Sequence, residues 1–382
     1  MNKPIIKWTL AGVLIVALLA APLVAACSQP APAPAPQTTA PAAPPTAAKP
    51  VASPTPTPAS KLPDKLVWDL NVLGSPRALT YHIEDWAKDM KEGTGGRWEI
   101  RVQYGEVLAP IKDSLDGLKS GLFAAAFFAA MYNPGKTPLL TAMDNPFLGP
   151  LGQAQAEEWA MAVAQHPAIV KELDGWNAQI LFPASLANYH FMGKKPFKKV
   201  EDLKGLRVRI DPIAGRPLED FGAVLTNIPT SEMYTALERG MLDTIVAPWS
   251  YTFGAYKTNE LSKYATIDVD LKVSAMYVAA SKTAWNALPD EWKKLANESF
   301  TKAISRHAKY NEIDDEKWVP IYVKQGIEIY KLPPEERGKL VDKAKSAWEA
   351  WVKEMEGKGL PARDVLNFAI AKRDEIIAKA KK

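Results

Sequence analysis

The sequence predicts an α/β protein with parallel strand organisation, and two observations support this. First, apolar segments of strand length alternate with segments of helical periodicity over most of the chain. Second, residues 123–131 form a continuous apolar run. This run is too short to span a bilayer and is typical of a strand buried on both faces of a parallel sheet. We therefore expect helices packed on sheets around a sizeable core.

The first 26 residues have the pattern of a signal peptide. Lys3 and Lys7 form a positive start, residues 8–21 are apolar, and small residues precede Cys27. Cys27 is the only cysteine of the chain, so it cannot form an internal disulfide. The segment Leu-Val-Ala-Ala-Cys ending at Cys27 resembles a bacterial lipobox, which favours lipidation at Cys27 and a membrane anchor. An ordinary signal peptide with an incidental cysteine is the alternative.

The composition of residues 27–62 predicts a tether between that lipid and a globular domain. Proline, alanine and threonine dominate this stretch. Such a composition cannot form a core, and its prolines favour an extended, semi-rigid chain.

The folded part begins near Lys65 and alternates strands with helices. The expected strands are residues 66–72, 98–102, 123–131, 176–183, 187–192, 206–210, 244–247 and 271–280. The expected helices include 77–92, 111–120 and 153–171. From Asp290 onward the pattern is helical, with small or apolar residues at three-four spacing from Trp292 to Ala303.

Composition and motifs exclude several classes of function. Basic and acidic residues are interleaved and the formal net charge is only +4, which gives no nucleic-acid footprint. The four histidines show no metal-ligand spacing, and no nucleophile elbow, P-loop or Rossmann glycine set occurs. We therefore expect no enzyme activity, no metal and no cofactor.

Four short pieces between residues 202 and 243 form the most specific signal in the chain. They are DLKGLRVR at 202–209, Gly-Ala at 222–223, SEMYTALERG at 231–240, and Asp243. Their order and spacing resemble the substrate-binding proteins of tripartite ATP-independent periplasmic (TRAP) transporters, the dicarboxylate-type family. The likeness extends over about residues 65–382.

The resemblance implies a two-lobed, periplasmic-binding-protein-like fold with a ligand cleft between the lobes. Residues 63–186 and 273–314 would form lobe I, and residues 187–272 with 315–382 would form lobe II with the C-terminal helices. A long helix starting near Asp290 would run along both lobes.

The resemblance also implies that Arg209 binds the carboxylate of a small organic acid. A guanidinium fork can give a carboxylate two parallel charge-assisted hydrogen bonds, and it stays charged at any relevant pH. Residues 206–210 alternate apolar and basic, so Arg207 and Arg209 should project to the same side of a strand. Arg207 is expected to extend to water at the strand end.

Further candidates for the cleft follow from family positions and from strand ends, where ligands of α/β sheets bind. Tyr189 stands where some relatives carry a second arginine, which favours a ligand with fewer anionic groups or an aromatic part; a core aromatic is the alternative. Thr230 and Ala247 are small and leave room for ligand. Trp249 would stack on the ligand or belong to the core.

Three residues of the first lobe complete the candidate set. Arg77 could reach a second carboxylate, or be a solvated surface arginine. Phe128 and Phe147 would contact the ligand or belong to the core.

The sequence therefore predicts an extracytoplasmic, lipid-anchored solute-binding protein of a TRAP-type transporter. Its partners would be a carboxylate ligand, the small and large membrane subunits, and the membrane itself through the lipid. A binding protein for an ABC importer or a sensor is an alternative in the same class, and a surface lipoprotein hydrolase is the alternative of another class.

Overall fold

The computed structural model describes residues 64–249 and 251–380. The predicted signal peptide, the lipidation site Cys27 and the whole of the tether 27–62 lie outside the described residues. None of the helices within the described part is both long and apolar enough to cross a membrane.

The described chain forms two sheets flanked by helices. The strands are β1 Leu66–Asn71, β2 Trp98–Gln103, β3 Ala125–Ala129, β4 Ala178–Pro183, β5 Tyr189–Gly193, β6 Arg207–Arg209, β7 Val224–Thr226, β8 Thr244–Pro248, β9 Tyr264–Ile267, β10 Met276–Ser281 and β11 Glu328–Lys331. The helices are α1 Ala78–Gly93, α2 Ser114–Ser120, α3 Gln153–Ala164, α4 Pro167–Asp174, α5 Pro212–Glu219, α6 Met233–Glu238, α7 Tyr251–Ala255, α8 Lys282–Asn286, α9 Asp290–Lys324, α10 Pro334–Asp342, α11 Ala344–Glu356 and α12 Ala362–Ala380.

Each sheet belongs to one lobe of a two-lobed α/β fold. The strand order is β2-β1-β3-β10-β4 in the first sheet and β11-β9-β5-β8-β6-β7 in the second. The chain passes from one sheet to the other through residues 184–188, then 268–275, and finally along α9 to β11. Elements of the two lobes therefore alternate along the sequence.

The sheets are mixed, so the expectation of parallel organisation is correct for only some of the strand pairs. β10 pairs antiparallel with both β3 and β4, and β5 pairs antiparallel with β8 and β9. The parallel pairs are those of β1 with β2 and β3, of β6 with β7 and β8, and of β9 with β11. A strand such as β10, which arrives directly from the other lobe, has no helical crossover that would impose the parallel direction.

Three further expectations from the sequence need correction. The helix expected over 153–171 is two helices, because Pro167 has no N–H to continue the first and the side chain of His166 caps the second by accepting from Ala168 N at 3.2 Å. Strand β10 begins only at Met276, since residues 271–275 cross between the sheets. Strand β11 interrupts the region expected to be helical.

The long helix expected from Asp290 is confirmed as α9, which has 35 residues. Its buried face includes Trp292, Ala296, Phe300 and Ala303, as the three-four spacing predicts. α9 packs against α1 and β4, and near its end the Trp318 ring lies against Gly254 of α7. It therefore contacts elements of both lobes.

The C-terminal helices α11 and α12 pack on the first-sheet side. Trp159 Nε1 of α3 donates to the Ala369 carbonyl at 2.8 Å, and Trp351 Nε1 donates to Thr141 Oγ1 at 2.9 Å. α11 also reaches α5 of the second lobe, where Arg216 Nη2 lies 2.9 Å from Glu354 Oε2. The sequence groups residues 315–382 with lobe II, and the lobe boundaries stay a prediction.

Candidate functional site

The cavity between the two sheets is the candidate site, and Arg209 forms part of its wall. Its lining residues come from both lobes: Leu73, Arg77, Leu79, Met131, Tyr132, Leu186, Tyr189, Arg209, Thr230, Pro248, Tyr251, Thr252, Tyr256 and Met276. The cavity holds about 350 Å³ of space not filled by protein atoms, part of it open to solvent. A bound molecule must therefore be small.

Arg209 lies at the carboxyl end of β6 and is only 2% exposed. Its Nε donates to the Ile228 carbonyl at 3.0 Å, and its Nη2 donates to the same carbonyl at 2.8 Å and to the Tyr132 hydroxyl at 2.7 Å. Nη1 lies 3.5 Å from the Val246 carbonyl, at the weak limit of a hydrogen bond. These partners are neutral, so the buried guanidinium has no compensating negative charge among them.

The same bonds change the predicted mode of carboxylate binding. Nε and Nη2 form the edge of the fork that could receive a carboxylate side-on, and the Ile228 carbonyl already accepts from both. Nη1 is the nitrogen with hydrogens left to donate. The Tyr132 hydroxyl accepts from Arg209, so its own hydrogen can also donate.

Arg207, two residues earlier on β6, has a different partner. Its Nε and Nη2 form a bidentate pair with Asp243 at 3.0 and 2.6 Å. These hydrogen bonds are the first cause that holds the pKa of Asp243 well below its usual range. Arg207 does not line the cavity. The Asp243 of the sequence motif therefore pairs with Arg207 outside the cavity wall.

Arg77 lines the cavity and is 4% exposed, so the alternative of a solvated surface arginine is wrong. It occupies the N-cap position of α1, where its backbone N–H donates to Thr80 Oγ1 at 3.1 Å. Its Nη1 donates to the carbonyls of Leu73 and Ser75 at 2.8 and 2.7 Å. The guanidinium carbon lies 5.4 Å from the centre of the Tyr256 ring.

Tyr189 and Thr230 also lie where the sequence places them, in the cavity wall. Burial raises the pKa of Tyr189 to about 12, and burial likewise raises the pKa of Tyr251. Both phenols are therefore neutral hydrogen-bonding groups at physiological pH. Thr230 Oγ1 is buried without a hydrogen-bond partner among the described residues.

A buried ionic cluster borders this cavity. Lys272 Nζ lies 2.6 Å from both Asp144 Oδ1 and Asp211 Oδ2, and all three side chains are almost completely buried. The Lys272 ammonium is 5.3 Å from the Tyr189 ring centre. Burial raises the pKa of Asp144 to about 6, against the opposing effect of Lys272 and with a further contribution from Asp211. The cluster joins an element of the first lobe, an element of the second, and the crossing segment between them.

Comparison with known proteins decides the family. The sequence pattern of the bacterial extracellular solute-binding proteins, family 7, matches residues 73–354. The chain belongs to this family. Members are solute-binding proteins outside the cytoplasm, and the same location follows for this chain.

The relatives of this family 7 protein include proteins that are named for binding different organic acids. It is 29% identical over 242 residues to a monocarboxylate 2-oxoacid-binding periplasmic protein of Nostoc, a match that covers 60% of this chain and 64% of that relative. It is 26% identical over 167 residues to a C4-dicarboxylate-binding periplasmic protein of Vibrio cholerae, covering 42% and 48% of the two chains.

Solved structures of TRAP solute-binding proteins share the fold. One from Rhodoferax ferrireducens, in complex with copurified benzoate, superposes with a TM-score of 0.75 at 20% identity and covers 83% of this chain and 100% of that one. One from Desulfovibrio salexigens, with bound orotic acid, has a TM-score of 0.71 at 21% identity, with coverages of 82% and 100%. These likenesses confirm the two-lobed fold of the family 7 protein.

Four predicted site residues do not line the cavity of this family 7 protein. Ala247 is fully buried in the core beside Met192 and Ile245. Trp249 packs edge-on against Phe253, with 6.0 Å between ring centres. Ala247 and Trp249 therefore belong to the packed core around β8 and not to the cavity wall.

Phe128 and Phe147 are likewise packing residues. Phe128 is fully buried and stacks on Tyr277 with ring centres 5.8 Å apart. Phe147 lies under the Arg337 guanidinium, whose carbon is 5.1 Å from the ring centre. For both residues these contacts agree with the alternative prediction of a core aromatic.

Sequence reasoning missed several cavity residues that a stricter use of the strand-end rule would find. Tyr132 follows β3, Leu73 follows β1 and Tyr251 follows β8. Each of these three lies just beyond the carboxyl end of a strand, where the cleft of an α/β protein forms. Tyr256 follows helix α7, so the strand-end rule does not find it.

Proposed function

We propose that this chain is the extracytoplasmic solute-binding protein of a TRAP-type transporter. It captures a small organic acid in the cavity between its lobes and delivers it to the small and large membrane subunits. A lipid on Cys27 and the tether 27–62 hold it to the membrane surface. The lobes close over the ligand by hinge bending, which couples ligand binding to a shape that the membrane subunits recognise.

One observation carries this proposal: Arg209 is buried in the cavity wall with only neutral partners. An unpaired buried charge is costly, whereas an anion that shares the cavity would neutralise it. Arg209 Nη1 and the Tyr132 hydroxyl are the donors available to a carboxylate. Thr230, two residues beyond Ile228, adds a hydroxyl that has no partner among the described residues.

The relatives support the same chemistry. Benzoate, orotic acid, a 2-oxoacid and a C4-dicarboxylate, named for the proteins above, all carry a carboxylate. The family consists of solute-binding proteins, which supports a binding role for this chain.

Calorimetry on the full chain, purified in mild detergent, tests the capture step. A panel of organic acids is titrated together with the neutral amide of each acid as a matched control. We expect an acid to bind at micromolar concentration or tighter and its amide to bind at least about 100-fold more weakly, because only the acid neutralises Arg209. Equal affinities for acid and amide would contradict the proposal.

Uptake by cells tests the delivery step. Uptake of the bound acid should require this chain together with the two membrane subunits, and an ionophore should abolish it. Uptake that resists the ionophore and stops on ATP depletion would assign the chain to an ABC importer instead.

A Cys27→Ala variant tests the anchor. We expect it to lose incorporation of labelled palmitate and to appear in the soluble fraction, while keeping its affinity for the acid. Retained labelling would exclude Cys27 as the lipidation site.

A further inference from the structure

The buried cluster of Lys272, Asp144 and Asp211 holds one more carboxylate than it holds cations. Lys272 Nζ lies 2.6 Å from Asp144 Oδ1 and 2.6 Å from Asp211 Oδ2, and the three side chains are at most 2% exposed. Burial lowers the pKa of Lys272, but the two carboxylates outweigh this effect and raise that pKa, so the ammonium stays charged. With both aspartates ionised, the cluster carries an excess negative charge, which is unfavourable in a buried position.

The hydrogen bonds of the two carboxyl groups assign to Asp144 the proton that would remove this excess charge. Asp211 uses both of its oxygens, because Oδ1 accepts from Ala214 N at 2.9 Å and Oδ2 faces Lys272. Asp144 Oδ2 is buried and has no hydrogen-bond partner among the described residues. A proton on Asp144 Oδ2 therefore breaks no existing hydrogen bond. Burial raises the pKa of Asp144 to about 6, against the effect of Lys272 and with a contribution from Asp211.

Two tyrosines also face the cluster, and neither changes its charge near neutral pH. From β10, the Tyr277 hydroxyl donates to the Ala160 carbonyl at 2.9 Å, and burial raises the pKa of Tyr277 well above its usual value. From β5, the Tyr189 ring faces Lys272, and burial raises the pKa of Tyr189 to about 12. A change in the charge of the cluster near neutral pH is therefore assigned to Asp144.

The cluster lies directly behind the cavity wall. Lys272 Nζ is 3.7 Å from Met131 Sδ and 5.3 Å from the centre of the Tyr189 ring, and both of these residues line the cavity. Arg209 is part of the same wall. Charges that are separated by one layer of side chains, on the order of 10 Å, change each other's binding equilibria by about tenfold at an effective dielectric constant of about 20. An anion bound at Arg209 should therefore affect the protonation of Asp144.

We propose that Asp144 is a proton-binding site that is linked to anion capture. The bound anion favours a proton on Asp144 Oδ2, and that proton in turn strengthens the binding of the anion. The proton comes from solvent and leaves again when the anion leaves. This inference rests on the proposed function, because it needs an acid anion at Arg209. Since linkage is reciprocal, the gain in affinity on acidification and the proton uptake on binding measure the same coupling.

The coupling has a defined sign and pH range. An anion in the cavity repels the ionised carboxylate of Asp144 and so raises its pKa above the ligand-free value of about 6. Affinity should therefore be highest below pH 6 and should fall by about tenfold as the pH rises from about 5 to about 8. At about pH 6.5 the wild-type chain should take up about half a proton for each anion bound.

Calorimetry on the full chain in mild detergent tests the linkage. Benzoate, pyruvate and orotate serve as probes because their own carboxyl groups stay ionised over this pH range. Affinity is measured from about pH 5 to about pH 8 at fixed ionic strength, which keeps the screening of charges constant. Proton uptake follows from the binding enthalpies at about pH 6.5 in MES and in imidazole, two buffers of different ionisation enthalpy. A pH-independent affinity with the same binding enthalpy in both buffers overturns the inference.

Three variants locate the proton. Asp144→Asn should bind the acid with a pH-independent affinity, about tenfold tighter than wild type at about pH 8, and without proton uptake. Asp211→Asn removes the second negative charge but keeps a good N-cap residue, so it should move the pH dependence to lower pH. Glu172→Gln is the matched control, because burial raises the pKa of Glu172 to about 7 but this residue does not line the cavity; it should keep the wild-type proton uptake.

Wild-type pH dependence in a folded Asp144→Asn protein overturns the assignment. Should Asp144→Asn fail to fold by circular dichroism, Asp211→Asn decides, and an unchanged pH dependence in that variant overturns the assignment. An acid that binds without proton uptake and equally well at every pH removes only the linkage and leaves the proposed function standing. Absence of binding of all three probes at every pH contradicts the proposed function, and the linkage falls with it.

Discussion

Replacing Arg209 by glutamine is the most direct test of the cavity as an anion site. The side chain is 2% exposed, and its fixed hydrogen bonds go to the Ile228 carbonyl and the Tyr132 hydroxyl. A bound carboxylate would therefore be the partner that neutralises it. Truncation of one member of a buried charge pair costs about 2–5 kcal/mol, which corresponds to a loss of affinity of about 30- to 5000-fold.

Arg207→Gln is the matched control for this experiment. It removes the same chemical group from the same strand two residues away, but at a position that does not line the cavity. Calorimetry with the tightest-binding acid should show Arg207→Gln within threefold of wild type. Arg209→Lys, which keeps the charge but not the fork, should lie between wild type and Arg209→Gln.

Thermal unfolding of the ligand-free variants separates lost binding from lost folding. The glutamine at position 209 removes a buried charge that has no negative partner, so the ligand-free Arg209→Gln variant should unfold at no lower temperature than wild type. An affinity within threefold of wild type in a folded Arg209→Gln protein would refute the reasoning, because the carboxylate would then bind elsewhere.

Three further predictions concern single contacts. Tyr132→Phe removes the hydroxyl that accepts from Arg209, and we expect about tenfold weaker acid binding in calorimetry, with a free energy of unfolding within about 1 kcal/mol of wild type; full affinity would exclude Tyr132 as a donor. Arg207→Gln should lower the free energy of unfolding at neutral pH, because it removes the bidentate partner of Asp243. Because the pKa of Asp243 is depressed in the folded state, this difference should shrink as the pH falls below about 4, as followed by urea unfolding, and a pH-independent difference would contradict the pairing. Asp144 has a raised pKa of about 6, so its contribution to stability is present below about pH 4 and is lost as the pH rises through 6. Wild type should therefore lose stability between pH 4 and pH 6 relative to Asp144→Asn in urea unfolding, and parallel pH profiles of the two proteins would refute this assignment.

The periodicity of apolar residues in the sequence predicts local structure well where one face of a helix or strand is buried. The alternation around Arg209 predicts strand β6, and the spacing from Trp292 to Ala303 predicts the buried face of α9. Such patterns depend only on the geometry of one element. The direction of β10 and the late strand β11 depend on partners far away in the sequence, and no local pattern carries that information.

The candidate site divides in the same way. Arg209, Tyr189 and Thr230 line the cavity as the sequence motifs predict, whereas Ala247 and Trp249 pack behind β8. Successive side chains at the end of a strand point to opposite faces because the strand is pleated, and the bend of the following loop changes their direction further. A one-residue difference therefore moves a side chain from the cleft to the core.

The sequence by itself determined the family and the class of fold and predicted that Arg209 lies in the cleft, because these depend on an ordered set of motifs and on the charge of a side chain. Only the tertiary structure decided that Arg77 is buried and donates to the Leu73 and Ser75 carbonyls, that its guanidinium lies over the Tyr256 ring, and that Lys272 joins Asp144 to Asp211. The physical reason is that burial and charge pairing arise between elements distant in the chain. The sequence shows that a residue is charged, but it does not show whether water, a carboxylate or a ligand compensates that charge.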